Sequence, residues 1–228
     1  MLNKATTFLW AMFQLNLLFA VSNIVAIVAV IVFPFHLITL PLYLAGLFLL
    51  VPSMLAMLLT LKRYDEIEKS TIVALYMRSY REEFKGSLRF GMWYILGAAV
   101  LLGAYAALEY FPFPIALIPL YMLLMIVLYV HFIFALLIRI HFIIDIKGTW
   151  RLGMYCISKY PMVALFIFGG TLIIGALMNV FPILILLGAV PLAGYLLTMA
   201  TGKMFREIAI ILKANKEDFF DESKNDSQ

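Results

Sequence analysis

Charged residues are scarce in this chain: Asp, Glu, Lys and Arg make up 13% of its 228 residues, whereas 65% are hydrophobic and the mean hydropathy is +1.03. A soluble domain of this size needs a polar exterior, which this composition does not supply. Uninterrupted apolar stretches of about 20 residues instead match a hydrocarbon core of roughly 30 Å. The composition therefore excludes an ordinary soluble domain and predicts an integral membrane protein.

Cysteine occurs once, as Cys156, which excludes an intramolecular disulfide and a cysteine-based metal cluster; we expect this thiol to serve packing. The sequence has no glycine-rich phosphate loop, no H-E-x-x-H pair and no G-x-S-x-G elbow, which excludes an ATPase. The histidines, His36, His131 and His141, fall too far apart in the predicted topology to share a metal ion. We therefore expect no enzyme activity, no cofactor and no metal site.

The few charges lie between long apolar stretches, and because an unpaired charge at mid-bilayer costs about 2.5–3.5 kcal/mol, they mark helix ends. In lipid each backbone amide must be satisfied within its segment, which favours helices. Breaks at residues 33–36, 111–114 and 179–182 divide the apolar sequence into three hairpins. The prediction is an all-α, polytopic membrane helix bundle of six transmembrane helices, with amphipathic cytoplasmic helices. The spans are predicted at about 7–33, 37–61, 91–110, 115–138, 157–178 and 183–201.

The 17 basic residues predict the orientation of these spans. They fall at Lys4, in residues 62–89 and 139–159, and after Gly202, whereas the three hairpin tips contain none. The positive-inside rule then places both termini and both long connections in the cytoplasm, in a multi-pass protein of the cell (inner or plasma) membrane. The net charge of +4 indicates topology and attraction to anionic lipid in the bilayer, not nucleic-acid binding.

A nine-residue element occurs twice, because residues 85–93 read KGSLRFGMW and residues 147–155 read KGTWRLGMY. Each copy precedes an apolar span, which predicts an amphipathic cytoplasmic helix with Ser87 or Thr149 as its N-cap. Two parallel repeats of a helical hairpin would explain the recurrence; the alternative is that any membrane helix places basic and aromatic residues where it meets the interface. The candidate cytoplasmic docking residues are Lys85, Arg89, Lys147 and Arg151, which could contact lipid phosphate or a partner's carboxylate.

Polar residues inside the predicted spans form a second candidate site, because such residues usually face protein or water. The candidate intramembrane polar face consists of Gln14, Asn16, Asn23 and His131. Asn16 and Asn23 are seven residues apart and so are expected to share a helix face. Interhelical hydrogen bonding is the favoured interpretation, and a polar lining for a substrate or a partner is the alternative. For His131 the choice is between a satisfied neutral ring and a proton relay.

The predicted domain organisation is a six-helix transmembrane domain over residues 1–207, followed by a cytoplasmic end over residues 208–228. Residues 62–89 are expected to form one amphipathic helix or two short ones. Residues 203–220 are expected to form a further cytoplasmic helix. The acidic end at residues 221–228 is expected to be disordered.

Several short motifs, in their order and spacing, carry a resemblance to a known family. These are residues 16–19 (NLLF), Pro52 followed by Ala56, Tyr80 and Phe84, and residues 159–161 (KYP). Together they resemble the YesL family. Phe19 departs from the family's common tryptophan, and Lys159 and Tyr160 replace its usual small polar pair. The resemblance implies a small integral membrane protein of Gram-positive bacteria, associated with carbohydrate ABC importers of the oligosaccharide class.

The sequence and the family resemblance predict two alternative functions, which belong to different classes. The first is a non-catalytic accessory or scaffold subunit that contacts the permease and ATPase subunits of a carbohydrate (oligosaccharide) ABC importer. The second is a small transporter or channel that acts by facilitated diffusion, with the intramembrane polar face along its path. A membrane enzyme is a third, weaker alternative. The oligomeric state and the identity of any sugar do not follow from the sequence.

Overall fold

A computed structural model of the chain describes the backbone of residues 2–63, 71–107, 118–180 and 188–225, and it is all-α over these ranges. Side chains are described for residues 6–63, 71–105, 118–177, 180 and 188–211. In chain order the helices are α1 (Leu2–Ser22), α2 (Ile24–Val32), α3 (Leu40–Lys62), α4 (Ile72–Ala107), α5 (Ile118–His141), α6 (Ile146–Lys159), α7 (Pro161–Val180) and α8 (Ala189–Asn225).

Helix α3 lies at the centre of the bundle and packs against α1, α2, α4, α5 and α8. Small residues allow two of these close approaches. A Cβ added at Gly46 would lie 2.8 Å from the Cα of Ala26 in α2, and one at Gly91 of α4 would lie 2.8 Å from the side chain of Val51. The other well-buried segment is the C-terminal half of α5, where Phe134 and Ile138 have no exposed surface.

The first predicted span, residues 7–33, is two helices, since α1 and α2 meet at Asn23 with a bend of 70°. Asn23 leaves the helical conformation, with φ −112° and ψ 21°. Its side-chain Nδ2 donates to the carbonyl of Phe19 at 2.8 Å, a local bond that competes with helix continuation. The helix is therefore not continuous past Asn23. Because the N–H of Asn23 still bonds to the carbonyl of Phe19, the shared face of Asn16 and Asn23 on α1 stays a prediction.

Helix α4 combines two segments that the sequence analysis separated. The amphipathic connection and the third predicted span, 91–110, form one helix from Ile72 to Ala107, and residues 64–70 and 108–117 lie outside the described part. Ser87 lies inside this helix and donates to the carbonyl of Phe84 at 2.9 Å, so it is not an N-cap. The predicted fourth span, 115–138, corresponds to α5, which is helical from Ile118 to His141.

The second copy of the repeated element lies on α6, which meets α7 at an angle of 95°. The break falls at Tyr160, because proline at the next position disfavours the helical conformation in the residue before it and suits the first turn of a new helix. Residues 157–159 of the predicted fifth span therefore belong to α6. Asp145, not Thr149, caps α6: its carboxylate accepts from the N–H of Gly148 at 2.9 Å, while Thr149 donates to the carbonyl of Asp145.

Helix α8 runs from Ala189 to Asn225, so the end of the sixth predicted span and the cytoplasmic helix are continuous. No glycine or proline follows Gly202 to end the helix, which accounts for its length. The described backbone is helical as far as Asn225, and residues 226–228 lie outside the described part, so the disorder of the acidic end stays a prediction.

Three helices of the described part, α3, α4 and α5, are long and apolar enough to cross a membrane. The count rises to five if each bent pair, α1 with α2 and α6 with α7, is one span. Several apolar helices of this kind are compatible with a multi-pass membrane protein. The sixth span and the orientation of the termini stay predictions.

Candidate functional site

The two copies of the repeated element share one pattern of burial. Ser87 and Thr149 have no exposed surface, and Gly91 and Gly153 are also buried. The lysine, arginine and methionine of each copy are exposed, as are Trp93 and its counterpart Tyr155. Each copy thus packs one face against the bundle through small side chains and presents a basic and aromatic face outward.

His131 of α5 connects the second copy to the residue that directly follows the first, and it is 2% exposed. Its Nδ1 lies 2.7 Å from the hydroxyl of Tyr94, which follows the first copy on α4. Its Nε2 lies 3.2 Å from the carbonyl oxygen of Trp150, in the second copy on α6. The carbonyl can only accept, so in the neutral ring Nε2 donates to Trp150 and Nδ1 accepts from Tyr94. Both ring nitrogens are therefore satisfied by protein groups.

The surroundings of His131 are close-packed and aromatic. Its ring centroid lies 4.7 Å from that of Trp150 and 5.6 Å from that of Tyr94. A Cβ added at Gly153 would lie 2.8 Å from Nε2, so the glycine of the second copy is what admits the imidazole against α6. The glycine of the first copy, Gly91, has the corresponding role against Val51 of α3.

Acidic residues in the described part pair with three arginines but not with the four candidate docking residues. Glu82 pairs with Arg78 at 2.8 Å and with Arg63 at 3.8 Å, and Glu83 pairs with Arg139 at 3.6 Å. Arg139 also lies over the ring of Phe90, 5.3 Å from its centroid. The four candidate docking residues, Lys85, Arg89, Lys147 and Arg151, are exposed and make no ion pair with a described residue.

Two residues of the candidate intramembrane polar face, Asn23 and His131, bind different groups of the described part. Asn23 is 3% exposed, and its Oδ1 accepts from Ser53 Oγ of α3 at 3.0 Å. Asn16 is also buried, whereas Gln14 is half-buried. The partners of Asn23 are thus on α1 and α3, whereas those of His131 are on α4 and α6.

A cavity of about 360 Å³ lies between α3, α4 and α5. Its wall is apolar, with Met54, Ala98 and Leu128 among its residues. The two tyrosines in the wall turn their hydroxyls to protein groups: Tyr94 to His131, and Tyr129 to Thr171 Oγ1 at 2.7 Å. An apolar cavity without free polar groups suits hydrocarbon and offers little to a sugar or an ion.

The histidines of the described part lie in separate surroundings. His141 stacks on Phe205 of α8 with ring centroids 4.5 Å apart, and His36 lies in the turn before α3. Over the described residues no group of three His, Cys, Asp or Glu side chains could hold a metal ion. Cys156 has no exposed surface, and burial places its thiol among core residues of the bundle.

The partners of the buried polar residues, Tyr94, Trp150 and Ser53, do not follow from the sequence. Trp150 lies inside the second copy of the repeated element, and Tyr94 directly follows the first copy. The repeat is therefore the sequence feature that could have pointed to both residues. Pairing a polar side chain with its partner needs the tertiary arrangement, which the sequence alone does not give.

Comparison of the chain with protein-family models, curated proteins and solved structures finds no match in any of the three. The resemblance to the YesL family therefore rests on the short motifs of the sequence.

Proposed function

We propose that this chain is a non-catalytic accessory or scaffold subunit of a carbohydrate (oligosaccharide) ABC importer in the cell membrane, with both termini in the cytoplasm. The observation that carries the scaffold role is the exposed pair Lys85 and Arg89, which lacks an ion partner among the described residues and lies on a firmly packed helix. The carbohydrate importer as partner comes from the family resemblance.

The length of α4 supports a role outside the bilayer. Its 36 residues correspond to about 54 Å at 1.5 Å per residue, whereas the hydrocarbon core is roughly 30 Å thick. All charged residues described on α4 fall between Arg78 and Arg89, so the charged half is the part suited to project into water. A helix of this kind offers a partner a rigid docking edge.

The packing around Lys85 and Arg89 keeps this edge in place. Ser87 and Phe90 have no exposed surface, and Gly91 fits directly against Val51. The neighbouring carboxylates, Glu82 and Glu83, already have arginine partners. The positive charge of Lys85 and Arg89 is therefore available to an acidic surface on another subunit.

Two features weigh against the alternative of a small transporter or channel. The hydrogen-bonding groups of Asn23 and His131 bind protein groups, and the two residues have no common partner in the described part. The cavity between α3, α4 and α5 is apolar. Facilitated diffusion of a sugar would need polar groups that remain free to exchange hydrogen bonds with it.

A pull-down tests this function. The full-length chain, tagged at its C-terminus and solubilised in a mild detergent, should recover the importer's permease and ATPase subunits. The double variant Lys85→Gln and Arg89→Gln should lose most of this recovery, because it removes the exposed cations and leaves the buried face of α4 intact. The equivalent variant of the second copy, Lys147→Gln and Arg151→Gln, is the matched control and should retain the partners.

Failure of the unaltered chain to recover either subunit would contradict the importer assignment. Equal recovery by the unaltered chain and the Lys85 and Arg89 variant would contradict the proposed docking edge.

A further inference from the structure

The second copy of the repeated element differs from the first in its direction relative to the following helix. Helix α7 exposes apolar side chains such as Met162, Phe166 and Ile173, as a lipid-facing span does. Helix α6 meets it at 95°. If α7 crosses the bilayer along its normal, α6 lies parallel to the membrane plane, and its exposed Lys147 and Arg151 favour a position at the membrane surface.

The outward side of α6 has an apolar strip beside a basic strip. Its inner face, with Thr149, Gly153 and Cys156, is buried against the bundle. Next to this face, Trp150 is 36% and Met154 is 51% exposed. Lys147 and Arg151 follow further around the helix, also exposed. Helices that lie in the membrane interface combine an apolar side with basic residues in this way.

The position of α6 is held by contacts other than its basic residues. The carbonyl of Trp150 accepts from His131, and Asp145 caps the first turn of the helix. Lys159, the remaining cation of α6, lies over the ring of Tyr155 at 5.3 Å from its centroid. Lys147 and Arg151 thus make no ion pair and no ring contact with a described residue.

We propose that α6 is a lipid-binding helix whose Lys147 and Arg151 bind the phosphate groups of anionic lipids while Trp150 and Met154 insert at the boundary between headgroups and acyl chains. The adjacent apolar strip favours a bilayer over a soluble protein surface, because a tryptophan and a methionine beside the cations find apolar surroundings there. This surface is separate from the docking edge on α4, and the proposal does not depend on the importer assignment.

The natural tryptophan on α6 allows a direct test. A full-length chain carrying Trp10→Phe and Trp93→Phe keeps Trp150 as its single tryptophan. It is reconstituted in nanodiscs that contain the same mole fraction of brominated lipid, either phosphatidylglycerol or phosphatidylcholine. We expect the brominated phosphatidylglycerol to quench Trp150 more strongly, since an attraction of about 1 kcal/mol per basic residue corresponds to about a fivefold preference for the anionic lipid.

The lysine and arginine are then removed. Lys147→Gln with Arg151→Gln should make quenching by the two brominated lipids equal, whereas Arg151→Lys should keep most of the preference, because a phosphate contact needs charge more than guanidinium geometry. Lys85→Gln with Arg89→Gln is the matched control and should leave the preference unchanged. Raising the salt concentration in the unsubstituted single-tryptophan protein should reduce the preference, since surface charge interactions are screened.

Equal quenching of the single-tryptophan protein by both lipids would overturn the proposal, as would a preference that survives high salt. Loss of a co-purifying protein in the Lys147 and Arg151 variant, with the lipid preference intact, would also overturn it and would show that α6 is a protein contact.

Discussion

Among single residues, His131 makes the contact with the widest reach, because it joins Tyr94 of α4 to Trp150 of α6. The imidazole donates to the carbonyl of Trp150 and accepts from the hydroxyl of Tyr94, in a buried aromatic setting. An unsatisfied group in such a setting costs about 1–3 kcal/mol, whereas a satisfied one fixes the relative position of its helices. His131 thereby ties α4 and α6 to α5.

Removing the Tyr94 hydroxyl should reveal this contact as a loss of stability. We expect Tyr94→Phe to destabilise the protein by about 1–3 kcal/mol, because Nδ1 of His131 then stays buried without a partner. The measurement is thermal unfolding in detergent, with Tyr105→Phe as a matched control, since Tyr105 lies on the same helix and is 51% exposed. Adding His131→Phe should cost less in the Tyr94→Phe background than alone. Equal stability of the Tyr94→Phe and Tyr105→Phe variants would show that the hydrogen bond contributes nothing.

Polar residues within the apolar stretches could be predicted from the sequence, but their partners could not. Asn23 and His131 stand out as polar residues in apolar sequence, and both prove to be buried. The sequence could not indicate that Asn23 ends α1, because an asparagine in an apolar stretch is compatible with a continuous helix until its side chain bonds to its own backbone. Its partner Ser53 is 30 residues away, and that pairing depends on how α3 packs against the bend.

At the scale of helices, a proline after the second copy of the repeated element distinguishes it from the first, after which the helix continues. With the 62-residue offset, Pro161 occupies the position of Ala99 in α4. Helix α4 continues through Ala99 without a break, whereas the chain turns by 95° before Pro161. The apolar runs predicted helices in both places. The continuity of α4 was not predicted, because the last charged residue, Arg89, was taken to mark the end of one helix and Gly91 the start of a span. A helix can, however, pass from water into lipid without a break.

Replacing this proline should partly straighten the α6 and α7 junction. Spin labels at Lys147 and Leu172, both exposed, would be about 25 Å apart in the bent arrangement and about 37 Å apart along a straight helix at 1.5 Å per residue. We expect Pro161→Ala to add a component near the longer distance in a double electron–electron resonance measurement. Pro119→Ala, in the first turn of α5, is the control and should leave the distribution unchanged. A distribution for Pro161→Ala that matches the unsubstituted junction would mean that tertiary packing, not proline, imposes the bend.

At the scale of the whole molecule, the distribution of charge bears on topology more than any single contact does. The described helices supply three to five candidate spans, and the predicted hairpin tips contain no lysine or arginine. Positively charged segments are retained in the cytoplasm during insertion, so the tip at residues 33–36 should face outward and the second copy of the repeated element should face inward.

Cysteine accessibility in intact cells separates these two faces. Cys156 is fully buried and is replaced by alanine to give a background without thiols. In that background a membrane-impermeant maleimide should label Phe35→Cys from outside and should label Lys147→Cys only after the cells are opened. Both positions lie at the surface of the fold, since Phe35 is half-buried in the connection between α2 and α3 and Lys147 is exposed on α6. Access from outside to Lys147→Cys would place α6 on the outer face. That result would reverse the orientation deduced from the basic residues, and it would also remove the anionic inner leaflet as the surface that α6 contacts.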